Sequence, residues 1–257
     1  MSKKFIKTYE DGPVGVIELN RPEVLNALNR QMIDEIVAQL EDYQRNSAIR
    51  VIMMKGNGKA FAAGADIEEM KNDTPTSMEL ADPFAVWDRI ASIKKPIITA
   101  VNGFALGGGF ELALHCDLIV ASEDAKFGFP EVKLGVMPGA GGTQLLSKAI
   151  GQRKALEWIW LGEQMSANEA LELGAINRVT SKELVEEETM RLAHQLAEQA
   201  PLSLRLIKEA VDVSSDVPLR EGMKLERKNF YLLFDSQDQS EGMQAFVEKR
   251  PPHFKGE

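Results

Sequence analysis

Asn102-Gly-Phe-Ala-Leu-Gly-Gly-Gly-Phe-Glu111 is the run on which the reading of this chain turns. It is entered from Ile97-Ile-Thr-Ala-Val101, a short apolar strand of the buried type. It is left through Glu111-Leu-Ala-Leu-His115, whose apolar neighbours predict a helix that buries one face. Glu111 then falls in the first turn of that helix. Gly107, Gly108 and Gly109 let the backbone come close to a bound group, and bare amides at a helix start attract negative charge. Phe127-Gly-Phe-Pro-Glu131 brings a second glutamate 20 residues after the first. Two carboxyls and exposed amides around one cleft suit proton transfer next to a carbonyl.

Outward from that run, the first half alternates strands and helices. Phe5 to Tyr9 and Val14 to Leu19 predict a hairpin around Asp11-Gly12-Pro13, and Val51 to Lys55 a buried strand. Between them Asn29 is placed to cap a helix in which Met32, Ile33, Ile36, Val37, Leu40 and Tyr43 recur at three- and four-residue steps. Ile97 to Val101 and Leu118 to Ala121 add strands reached through helical stretches, as parallel βα units require. From about Thr143 the chain reads mainly as helix. Ser166-x-x-Glu169, Thr180-x-x-Glu183 and Ser236-x-x-Gln239 have the form of capping boxes, and Gly151 and Gly174 stand where helices end. No internal repeat or flexible linker stands out, so the helical half is expected to pack on the αβ half or on another subunit.

The composition narrows the function classes. A chain of 257 residues with 44% hydrophobic content can bury a full core. Its formal charge of −9 opposes general attraction to nucleic acid or anionic membrane, so an anionic ligand must find locally arranged cations. The single cysteine, Cys116, excludes an internal disulfide or a CxxC site and fits a reducing compartment, with cytoplasm as the expectation. Met-Ser-Lys-Lys-Phe-Ile-Lys lacks a signal-peptide core, and no run approaches the roughly 20 apolar residues of a membrane span.

Three glycine-bearing loops, Gly56 to Asp66, Gly103 to Gly109 and Pro138 to Gly142, each read alone as turns. Taken together, loops that follow strands of a parallel sheet lie on its ligand-binding side. None has the GxxxxGK[ST] or GxGxxG order of a phosphate site. Glu111 and Glu131 have plain alternatives, a dipole-favoured helix-start acid and a solvated surface acid. Their apolar or glycine-rich settings, Phe110-Glu111-Leu112 and Phe129-Pro130-Glu131-Val132, favour a catalytic pair with raised pKa. His115, His194 and His253 show no metal-type spacing and read as structural or solvated. His115 and Cys116 are adjacent on a helix and do not face one another, which argues against a Cys-His nucleophile. Trp158 and Trp160 read as packing residues.

In order along the chain, Asn20-Arg-Pro-Glu-Val-Leu-Asn-Ala-Leu28, Ala60-Phe-Ala-Ala-Gly-Ala-Asp-Ile67, the Asn102 to Glu111 loop, Cys116-Asp117, Phe127 to Glu131, Gly135 to Gln144 and Phe246-Val-Glu-Lys-Arg250 resemble the crotonase, or enoyl-CoA hydratase/isomerase, superfamily. The resemblance implies an α/β fold, a crotonase-like core of ββα superhelix type over residues 1–195, followed by a helical trimerising region over 196–257. Other branches lack one or both glutamates; this chain has both, as true hydratases do. The implied reaction is therefore addition of water across the trans-2 double bond of an enoyl-CoA thioester, with no cofactor beyond the coenzyme A of the substrate. Fatty-acid, aromatic and amino-acid degradation all use such enzymes. By the same resemblance Ala65 and Gly108 N–H form an oxyanion hole, Glu111 activates the water and Glu131 protonates Cα, the roles being open to exchange. Ala63, Asp66, Ile67, Gly107 and Gly139 are expected around the substrate, with Phe246 and Lys249 reaching its CoA from a neighbouring subunit of a trimer or hexamer. Glu23 and Glu68 stand where related hydratases often carry lysine, which leaves Lys59, Lys249, Arg250 or Lys255 as replacement cations. Asp82 to Arg89 is expected to cover an acyl tunnel. The competing readings are an enoyl-CoA isomerase or another acyl-CoA enzyme of the superfamily, and a noncatalytic RNA- or protein-binding member.

Overall fold

The computed structural model describes residues 4–257. Strands β1 (Ile6–Asp11) and β2 (Val14–Leu19) pair antiparallel, with Gly12 at φ +54° making the turn. Helix α1 (Arg30–Arg45) starts where Asn29 accepts a hydrogen bond from Met32 N–H, 2.8 Å, and buries the predicted face Met32, Ile33, Ile36, Val37, Leu40 and Tyr43. β3 (Val51–Gly56) and β4 (Ala60–Ala62) follow, then the short helices α2 (Ile67–Met70), α3 (Pro75–Ala81) and α4 (Ala85–Ala91). Next come β5 (Ile97–Val101), β6 (Phe104–Leu106), α5 (Gly108–Leu114), β7 (Leu118–Ser122) and β8 (Lys126–Gly128). A 3₁₀ turn, Pro130–Leu134, leads to α6 (Gly142–Ile150) and α7 (Gln152–Leu161). The remainder is β9 (Gln164–Ser166), α8 (Ala167–Leu173), β10 (Arg178–Thr180), α9 (Val185–Ala197), α10 (Pro201–Asp212), α11 (Leu219–Leu233) and α12 (Gln237–Glu248).

The strands divide between two sheets, one of order β1-β2-β3-β5-β7-β10 and one of order β4-β6-β8-β9. In each pair β3-β4, β5-β6 and β7-β8 the first strand joins the larger sheet and the second the smaller. This is a structural repeat that the sequence does not display, because the second strands are only three residues long. The first two glycine loops therefore contain strands β4 and β6, and the third follows a 3₁₀ turn rather than a strand.

Both faces of the larger sheet are covered, which explains why β5 is buried throughout. Ile17, Leu19, Ile52, Met54, Ile97 and Val101 face the main core with α1 and the smaller sheet. Val14, Val16, Val51, Met53, Ile98 and Ala100 face the other way, against Val185, Leu192, Ala193 and Ala197 of α9. The second half thus does pack on the αβ half, and it contributes two strands that its helical pattern concealed, β10 to the larger sheet and β9 to the smaller.

The capping signals divide. Ser166 and Glu169 form the reciprocal box, and Gly151 and Gly174 end α6 and α8 at φ +80° and +84°. Thr180 is instead the last residue of β10, and the 3₁₀ turn Lys182–Leu184 follows Ser181 with no side-chain cap. Ser236 accepts from Gln239 N–H, but the Gln239 amide turns to Met243 Sδ, leaving half a box. Trp158 packs on the main core as expected, whereas Trp160 is 69% exposed.

Candidate active site

Gly107 precedes α5 with φ +50° and ψ −128°, a backbone state that a Cβ makes costly. A Cβ there would also meet Glu131 Oε1 at 2.8 Å. The first of the two glutamates stands one turn further on. Glu111 lies in the first turn of α5 and is only 3% exposed. Its Oε1 accepts from Ala140 N–H at 2.7 Å and Gly142 N–H at 2.8 Å. Gly142 is tightly seated, since a Cβ on it would strike the Phe129 ring at 2.7 Å and approach Glu111 Oε1 at 3.0 Å.

Gly108 is the first residue of α5, where an N–H has no acceptor one turn back. Opposite it, Leu28 and Ala65 form an isolated parallel bridge. Gly64 C=O accepts from Leu28 N–H and Asp66 N–H donates to Leu28 C=O, at 2.8 and 2.9 Å. Ala65 N–H, between them, has no backbone acceptor among the described residues. A Cβ on Gly108 would lie 3.6 Å from Ala65 N and 3.9 Å from Glu111 Oε2, so the two amides and the free carboxyl oxygen border one space.

Glu131 enters from the other side on the 3₁₀ turn Pro130–Leu134. Its Oε2 is buried without a hydrogen-bond partner among the described residues. Burial, with the nearby Glu111 charge adding to it, pushes its carboxyl up to about 7. Burial also raises Glu111, but the two amide bonds pull it back toward the ionised form. The residues beside the two acids carry three rings that pack on one another. Phe110 lies 5.1 Å from both Phe127 and Phe129, centroid to centroid.

The structure therefore gathers Ala65, Gly107, Gly108, Glu111 and Glu131 around one space. Gly139 borders the same loop, where a Cβ would meet the Phe84 ring at 2.7 Å. The segment Asp82 to Arg89 accordingly packs over the 138–142 loop through Phe84. Ala63 and Ile67 flank Ala65, Ile67 being 46% exposed. Asp66 is held in an ion pair with Arg21 at 2.9 Å, and Arg21 also donates to Ala27 C=O at 2.6 Å. Phe246 is 85% exposed near the end of α12, and Lys249 follows it with φ +56°; neither has a hydrogen bond or ion pair to residues 63–67 among the described residues. Of the replacement cations, Arg250 is occupied by Glu241 and Glu248, and Glu68 is paired with Lys71.

Sequence reasoning missed three residues. Arg21 stood in the quoted Asn20-Arg-Pro run without a role. Asn26 is fully buried at φ +56°, and its side-chain amide donates to Asn57 and Ala60 C=O at 3.0 and 2.8 Å, tying down the loop before Ala65. His115 follows Glu111 by one helical turn, a spacing that places both on one face, and its Nε2 bonds Ala140 C=O at 2.8 Å.

Residues 10–257 match the model of the family described as enoyl-CoA hydratase/isomerase. The chain belongs to that family. It is 45% identical over 255 residues, 99% of each chain, to a probable enoyl-CoA hydratase of Rhizobium meliloti. A mitochondrial enoyl-CoA hydratase of Pongo abelii is 42% identical over 97% of this chain and 86% of its own length. The crystal structure of enoyl-CoA hydratase subunit I from Geobacillus kaustophilus HTA426 superposes with a TM-score of 0.97 at 64% identity, covering 99% of each chain. The crotonase-like α/β fold expected from the motifs is thus the fold of this family member, C-terminal helices included.

Proposed function

We propose that this protein is an enoyl-CoA hydratase, adding water reversibly across the trans-2 double bond of an enoyl-CoA thioester. The observation that carries the reading is the unequal treatment of two acids around one pair of free amides. Glu111 is raised by burial but has one oxygen held by two N–H donors that favour its ionised form, which suits a base. Glu131 has an unpartnered buried oxygen and a carboxyl near neutrality, which suits a proton donor. Environments that push two carboxyls apart mark out the acid and the base.

In this reading the thioester oxygen accepts from Ala65 and Gly108 N–H. Glu111 takes a proton from water as its oxygen bonds to Cβ. The π electrons move toward the thioester oxygen, where the fixed donors stabilise the developing charge, one such donor being worth about 3 kcal/mol. Glu131 then delivers its proton to Cα, and proton exchange with solvent resets both acids. The steps use side-chain acids and main-chain amides only, so no cofactor is required beyond the CoA that the substrate carries.

Residues 1–195 act as the catalytic core and 196–257 as an oligomerising region, in a trimer or dimer of trimers. Phe230 of α11, Phe234 just past its end, and Phe246 and Val247 of α12 are all more than half exposed, which supports self-association. It also supports delivery of Phe246 and Lys249 to Ala63, Asp66 and Ile67 of a neighbour. Among the described residues no helix is long and apolar enough to cross a membrane; the acidic charge and lone cysteine support a cytoplasmic enzyme that does not bind nucleic acid. The test is incubation with crotonyl-CoA. Loss of the conjugated enoyl absorbance with formation of 3-hydroxybutyryl-CoA is expected, whereas migration of the double bond without uptake of water would replace the hydratase by an isomerase.

A further inference from the structure

Ala140 is held at both ends of its backbone by one helix. Glu111 Oε1 accepts from its N–H at 2.7 Å, and His115 Nε2 lies 2.8 Å from its C=O. The two side chains are one turn apart on the same face, Glu111 within α5 and His115 capping its end. A carbonyl can only accept, so Nε2 carries the hydrogen and donates it. The imidazole is confined by the Trp87 ring of α4, 5.8 Å between centroids, and by Gly141, where a Cβ would stand 3.4 Å from Nε2. Asp88 of α4 is the charged group that acts on it, and burial nevertheless holds its pKa below the ordinary histidine range, so the ring is neutral at pH 7.

This geometry has a consequence for the acid. Glu111 Oε1 is saturated by the Ala140 and Gly142 amides, which leaves Oε2 as the oxygen facing Gly108. The direction of Oε2 therefore depends on the placement of the 138–142 loop. Gly139 and Gly141 make that stretch intrinsically free, Gly141 at φ +104°. His115 clamps the carbonyl of Ala140, the residue whose own N–H is one of the two donors to that carboxylate.

We propose that His115 is a positioning residue for the reaction: its hold on the Ala140 carbonyl aims the Ala140 N–H at Glu111 and thereby fixes the oxygen that meets the attacking water. The proposal rests on the hydratase reading given above. His115 touches neither substrate nor reacting atoms, and it acts only through the loop.

The test compares His115→Leu, which removes the donor, with His115→Gln, whose amide nitrogen reaches about as far as Nε2. Both are assayed as the full chain after circular dichroism shows a native fold. His115→Leu is expected to lower kcat about 10²-fold, the size of effect that a misplacement of about 1 Å produces, with KM little changed. Its acid limb of kcat/KM should move to higher pH, because a weakened amide bond no longer favours the ionised Glu111. His115→Gln should recover most of the rate and the original limb. In a Glu111→Gln background, His115→Leu should cost less than about twofold, since residues acting as a unit are not additive. A folded His115→Leu enzyme with the parental kcat and pH profile would overturn the proposal, and so would equal losses in both backgrounds or a Gln variant as poor as Leu. If the parental protein does not hydrate crotonyl-CoA, the proposed reaction falls by itself. The Glu111 carboxyl, followed by infrared titration, then still decides the matter: an unchanged titration in His115→Leu refutes the positioning role, and an upward shift supports it.

Discussion

Replacing Glu111 by Gln preserves an acceptor for Ala140 and Gly142 N–H while removing basicity, so its effect should fall on turnover rather than folding. Glu111→Gln and Glu131→Gln are each expected to lower kcat by about 10²- to 10⁴-fold, with thermal midpoints near the parental value; near-parental turnover in either variant removes that residue from the reaction. The two acids also predict a pH profile. Because kcat/KM reports the free enzyme, it should decline above about pH 7, where Glu131 loses the proton that the proposed reaction takes from it. The same group makes a stability signature with a definite sign. Folded Glu131 keeps its proton up to about 7, against the ordinary glutamate value of 4.5, so between these values the native state binds more protons than the unfolded one. Stability from this group is complete below about pH 4.5 and is lost as pH rises through 7. Discounted for its partial exposure, the loss should be on the order of 1–2 kcal/mol. Urea titrations at pH 5 and pH 8 should show the parental protein losing that much relative to Glu131→Gln, and an equal pH response in both would refute the unpartnered ionised carboxyl.

Helix α5 illustrates how magnitudes choose between local propensity and packing. In an exposed helix, Gly→Ala gains up to about 1 kcal/mol. At Gly109 the added Cβ would fall 2.0 Å from Ala62 C=O, a backbone atom of β4, and overpacking of that kind typically costs about 1–3 kcal/mol. Packing wins, so Gly109→Ala should lower the urea midpoint and also the turnover, because α5 can move only by carrying Gly108 away from Ala65. A variant as stable and active as the parent would show that β4 and α5 are not locked together. Elements of this sort mark where the sequence was legible. α1, β5 and the hairpin declared themselves by periodicity and caps, since each buries a face along its own length. β4, β6, β8 and β9 did not, because three residues carry no period and their pairing is with distant segments. The same limit explains the false capping box at Thr180, whose backbone is taken by β7 in the larger sheet. At the site, Glu111 and Glu131 were readable from glycine and apolar flanks, but the oxygen each presents was not. For Glu111 that depends on Ala140 and Gly142, which fold back across about 30 residues of chain.

Across the whole molecule, charge and apolar surface are distributed unevenly. The chain carries a net −9, yet α11, the residue just past its end and α12 expose Phe230, Tyr231, Phe234, Phe246 and Val247, each more than half accessible. Scattered apolar residues are normal on a monomer, whereas a run of aromatic side chains on adjoining helices is the composition of a buried interface. The segments that flank these helices are tied to the rest of the chain: Lys208 of α10 pairs with Asp117 and Asp216, ahead of α11, with Lys148, at 2.9 and 2.8 Å, and beyond α12 Phe254 C=O accepts from Arg50 at 2.7 Å. If that face joins subunits, Phe230→Glu with Phe234→Glu should convert the parental oligomer into monomer, because buried unpaired charges at an interface are strongly unfavourable. Light scattering of the purified protein measures the mass directly. Phe246→Ala separates association from substrate delivery: it should leave the oligomer intact and raise KM for crotonyl-CoA, with kcat changed less than twofold. An assembly that survives the double glutamate variant would move the subunit contact elsewhere. An unaltered KM in Phe246→Ala would remove that side chain from the coenzyme's surroundings and leave the adenine end to be held within one subunit.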